Sequence, residues 1–76
     1  MNITKNEAMK EIRLEAKNSG LTFIETNASH NGSPLYKLVD RVSGRLVVDN
    51  MSFWCAYGDV QTGRIKSLAG SQNYLN

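Results

Sequence analysis

Eleven consecutive positions, "NMSFWCAYGDV" at residues 50 to 60, hold a Phe, a Tyr, a Met, the only Trp and the only Cys of the chain. No other feature constrains the fold as much. A chain of 76 residues buries only about 60% of the surface its unfolded form exposes, which leaves material for a single core, so the segment richest in large rings must feed it. Phe53, Ala56, Tyr57 and Val60 stand at i, i+3, i+4 and i+7, the spacing of a helix with one buried face. Asn50 or Ser52 can cap its start, Thr62 and Gly63 end it, and Gly58 inside it costs about 1 kcal/mol relative to Ala. Phe53, Tyr57 and Val60 are therefore expected on a core-facing surface. Trp54 lies about 100° around the helix from Phe53, at the border of that face, where an amphipathic ring either covers the edge of a sheet or anchors a partner.

A second helix is marked at both ends. In "ITKNEAMKEIRLEAKNSG", Thr4 and Glu7 form a capping box, and Gly20 supplies the left-handed residue that stops the helix. Ala8, Met9, Ile12 and Ala16 fall within one narrow arc, with Glu7, Glu11 and Glu15 along one flank. Lys10, Arg13 and Lys17 run along the other, with Leu14 beside them. So narrow an apolar stripe covers something wider than itself, which points to a sheet.

Three β-rich segments supply one. "LTFIET" at 21 to 26 is bounded by Gly20 and by the polar run "NASHNGSP", whose Asn31-Gly32 pair is a strong turn signal. "LYKLVD" at 35 to 40 and "RLVV" at 45 to 48 flank "DRVSGR", where Gly44 can take the positive φ of a short hairpin. Connections this short cannot make parallel crossovers, so the strands form an antiparallel meander in the order 1-2-3. The expected fold is α+β, α-β-β-β-α, in one domain over 1–76. Ile65 and Leu68 can add a turn to the core, and 69–76 forms a frayed tail.

Composition is that of an ordinary globular protein, 41% hydrophobic and 21% charged, so neither disorder nor a fibrous repeat is expected. No apolar run approaches the roughly 20 residues that span a bilayer, and the first residues carry charges where a signal peptide would place its hydrophobic segment. A cytosolic chain is expected, without a membrane partner. Cys55 has no partner for an internal disulfide, and it turns away from the buried helical face with no basic neighbour in sequence. His30 sits in the polar turn; with no second His and no second Cys, zinc is excluded and no cofactor is expected. Asp40 and Asp49 read as strand-end turn and cap residues. There is no Gly-rich phosphate loop, nucleophile elbow or H-E-x-x-H pattern, so a catalytic role is not expected.

The element order, with a His-containing first loop, resembles the double-stranded RNA-binding domain, in which that loop enters a minor groove and a Lys cluster opening the second helix spans the phosphates. Here the corresponding start, "NMSFWCAYG", holds no Lys or Arg. A nucleic-acid surface would instead draw on Lys10, Arg13, Lys17, Lys37, Arg41 and Arg45, among interspersed acids and with a net charge of only +2. Residues 20 to 65, with "GLTF" and then "NGSPLYKLVDRVSGRLVVDNMSFWCAYGDVQTGRI", resemble small accessory proteins of bacteriophages and prophages of enteric bacteria. That resemblance implies a context in which a small protein occludes or redirects a host protein. The leading expectation is thus a non-enzymatic protein-binding module, with Trp54, Leu14 or an open strand edge as contact and homodimerisation through the same edge as a further outcome. Duplex RNA or DNA binding is the alternative.

Overall fold

In the computed structural model, which describes residues 3–68, the capping box at the first helix is complete. Glu7 donates its backbone N–H to Thr4 Oγ1 at 3.2 Å, and Glu7 Oε1 accepts from the Thr4 amide at 3.3 Å. The helix, α1, runs Lys5–Asn18, and Gly20 follows at φ +74°. Ala8, Ile12 and Ala16 are buried and Met9 half-buried, as the apolar arc requires. Two alanines on this face let the helix backbone approach the sheet closely.

The sheet contains β1 (Leu21–His30), β2 (Ser33–Asp40) and β3 (Leu46–Met51), antiparallel in the order β1-β2-β3. Register puts Phe23 opposite Leu38 and Tyr36 opposite Met51. Leu21, Phe23, Tyr36 and Leu38 point to the helices and are buried. Thr22, Ile24, Lys37, Val39 and Leu46 occupy the alternate positions and form an uncovered second face. The second helix, α2 (Phe53–Gln61), is capped by Ser52, whose Oγ accepts from the Cys55 amide at 3.4 Å. It lies beside α1 and against β2, so both helices share one face of the sheet. Helical residues continue over 64–68, where Ile65 is fully buried and Leu68 packs on the core. This is an α-β-β-β-α arrangement.

The strand boundaries differ from the sequence reading, and β2 begins at Ser33, two residues earlier than expected. The run "NASH" belongs to β1 and is not loop: Asn31 at φ +51° and Gly32 at φ +79° make a two-residue turn with both residues left-handed, so the ladder continues to the turn itself. His30 is accordingly a strand-end residue paired with Ser33. The polar composition is tolerated because the strand bulges between Glu25 and Ser29, where Thr26 Oγ1 donates to the Leu35 carbonyl and accepts from the Ala28 amide. Likewise β3 extends to Met51. Asn50 takes φ +55° there, and the irregular register brings Met51 into the core. The tail expected at 69–76 lies outside the described residues. No described helix is long and apolar enough to cross a membrane.

Candidate functional site

Among the described residues, Phe23, Tyr36, Phe53, Trp54 and Tyr57 form one continuous ladder from the middle of the sheet to the surface. Phe23 and Tyr36 stack with centroids 4.6 Å apart, and Tyr36 meets Phe53 at 6.1 Å. Phe53 meets Trp54 edge to face at 4.9 Å, and Trp54 meets Tyr57 edge to face at 6.0 Å. These are the separations and tilts that ring quadrupoles favour. Phe53 is buried, whereas Trp54 is 54% exposed. The cluster at 50 to 60 is thus core at its inner rungs and surface at its outer one.

The outer rungs are held from both sides. The Lys5 ammonium stands 5.2 Å from the Phe53 ring centroid, within cation–π range. Tyr57 donates its hydroxyl to Glu11 Oε2 at 3.1 Å, tying α2 to the acidic flank of α1. Burial and then this bond to Glu11 raise the Tyr57 pKa above its ordinary value. Beside the ladder, Lys5, Ser33, Pro34, Ser52, Phe53 and Trp54 line a depression of about 140 Å³. Lys5 and Pro34 carried no signal in the sequence, because they reach Phe53 and Trp54 only through the packing of α1 and the first hairpin.

Leu14 is also exposed, at 60%, but on the side of α1 turned away from the sheet. Val42, in the turn after β2, and Leu46 on the uncovered sheet face are further exposed apolar side chains. The strand edges are less open than expected. Arg13 Nη1 donates to the Phe23 carbonyl at 3.2 Å, occupying part of the β1 edge, and β1 bulges further along. The other edge strand, β3, is six residues long with two register shifts. Short, bulged and charge-guarded edges resist strand addition.

The six candidate cations divide. Arg13, Lys17 and Arg41 line one cavity beside Leu21, Thr22 and Phe23. Lys37 lines a different one on the uncovered sheet face, Lys10 is exposed on α1, and Arg45 acts on Asp40. Asp40 accepts from the Val42 and Ser43 amides at 3.0 and 2.9 Å, bonds that hold its carboxyl below the ordinary range. Cys55 is exposed and, with His30, borders a cavity of about 430 Å³ between β3 and α2. His30 and Asp40 sit at opposite ends of the first hairpin, about 23 Å apart along β2, and share no site. Comparison with protein-family models, with curated proteins and with solved structures finds no match to this chain.

Proposed function

We propose that this chain is a non-enzymatic protein-binding module whose contact centres on Trp54. The observation that carries this reading is a half-exposed indole locked edge-on between Phe53 and Tyr57, on a ladder rooted in the core. A ring already packed against two neighbours has less freedom to lose when a partner covers it, and Trp is among the residues that dominate protein interfaces. With Lys5 beside it, the complementary surface is an apolar socket with an acidic rim. The blunted strand edges favour side-chain docking over strand addition. On this reading the partner is a host-cell protein that the module occludes or redirects, the context implied by the resemblance of residues 20 to 65.

Immobilised wild-type protein should retain one host protein at stoichiometric amounts. Trp54→Ala should lose it while keeping its circular dichroism spectrum, and Leu14→Ala should keep it. Retention of nothing by the wild type, or equal retention by Trp54→Ala, defeats the proposal.

A further inference from the structure

A second surface lies about 18 Å along α1 from Lys5, at the start of the sheet. Arg13 and Lys17 are one helical turn apart, and Arg41 joins them from the turn after β2. The backbone N–H of Arg41 donates to the Gly20 carbonyl at 2.9 Å, which fixes that turn against the beginning of β1. The three side chains line a cavity of about 160 Å³ with Leu21, Thr22 and Phe23. Among the described residues, none of the three forms an ion pair with a carboxylate. The nearest acid in sequence, Asp40, is engaged by its own turn, accepting from the Val42 and Ser43 amides. Glu25, two residues beyond Phe23 on β1, acts on Tyr36 in opposition to Arg13 and is the one acid along that face of the strand. Phe23 contributes a further donor: its carbonyl faces Arg13, away from β2, and in an antiparallel ladder the N–H of the same residue points the same way.

Three like charges gathered around one small volume repel one another, and the arrangement is relieved when an anion enters. Two guanidiniums and an ammonium suit a compact oxyanion of charge near −2, because the planar forks bind paired oxygens while Lys17 adds a point charge. A nucleic-acid backbone would require cations strung along a surface, yet Lys37 lies on the uncovered sheet face and Arg45 beside Asp40. We propose that Arg13, Lys17 and Arg41 form a binding site for a phosphomonoester, carried either by a small molecule or by a phosphorylated side chain. The site is independent of Trp54.

Inorganic phosphate, titrated against chloride at matched ionic strength, should shift the backbone amides of Gly20, Thr22 and Phe23 and the side-chain Nε–H signals of Arg13 and Arg41 in ¹H–¹⁵N spectra. Arg41→Gln and Lys17→Gln, which leave the Arg13 bond to Phe23 in place, should each weaken phosphate binding by about tenfold while keeping dispersed spectra. Lys37→Gln and Trp54→Ala should leave it unchanged. A nucleoside monophosphate and a phosphoserine peptide then separate the two carriers, the source being the one that binds more tightly than inorganic phosphate. Equal shifts with chloride, unaltered binding by the Arg41→Gln/Lys17→Gln pair, or shifts seen only with a short duplex RNA would each overturn the proposal.

Discussion

Tyr57 is held at both ends by different parts of the molecule, its ring against Trp54 and its hydroxyl on Glu11. Ionising it would place a phenolate beside a carboxylate, and its pKa is raised by burial and by Glu11. Tyr36 is raised as well, chiefly by burial and then by Glu25, with Arg13 opposing. In both cases the folded value lies above the unfolded one of about 10, so the unfolded chain releases these protons first. The stability they contribute is intact below about pH 10 and is lost as pH rises through the folded values. Phenolate absorbance and circular dichroism, recorded together against pH, should show unfolding coupled to tyrosine ionisation, and Tyr57→Phe should make that alkaline loss shallower. Trp54, the single tryptophan, should be quenched by acrylamide to a degree between free and buried indole. Replacing it with Ala should cost only about 1 kcal/mol in chemical denaturation, since half of the ring already meets water.

At the scale of elements, two glycines with open space around an added methyl group should respond in opposite directions. Gly32 sits at φ +79° in the turn between β1 and β2, where an L side chain is strained, so Gly32→Ala should destabilise by about 1 kcal/mol. Gly58 lies inside α2, where Ala is the better helix former, and Gly58→Ala should stabilise by about 0.5–1 kcal/mol. Thermal melts of the two variants test this directly; a shift of the same sign in both would contradict the assigned turn and helix. The cap on α1 belongs to the same scale. Thr4→Ala removes the acceptor for the Glu7 amide and should cost about 1 kcal/mol.

For the molecule as a whole, α1 divides its charges between two neighbours. Its acidic flank meets α2 through Glu11 and Tyr57, while its basic flank meets the β1 edge through Arg13 and Phe23. Beneath it the core includes Ile12, Phe23, Leu38 and Ile65, all nearly or wholly inaccessible to water. Ile65 comes from the helical residues after α2, so 64–68 is part of the packed body. Ile65→Ala should destabilise by about 3 kcal/mol, as should Leu38→Ala at the centre of the sheet. A small domain has only about 5 kcal/mol in total. Denaturant unfolding of Ile65→Ala that matches the wild type would show that these helical residues do not support the core.

Helix starts and stops, the turn at Asn31-Gly32 and the identity of the buried faces were legible in the sequence because each depends on neighbours within a few positions. Thr4 finds Glu7, Ser52 finds Cys55, and Ile12 shares a face with Ala8 and Ala16 whatever else the chain does. The lengths of β1 and β3 were not legible, since polar strand ends such as Ser29 and His30 are kept in the ladder by their partners on β2. The candidate sites were legible only as inventories of residues. That Trp54 ends outside while Phe53 ends inside, and that Arg41 joins Arg13 and Lys17 while Lys37 does not, follows from how the helices are rotated and seated on the sheet. Those rotations are set by many weak contacts between segments distant in sequence, which no local pattern encodes.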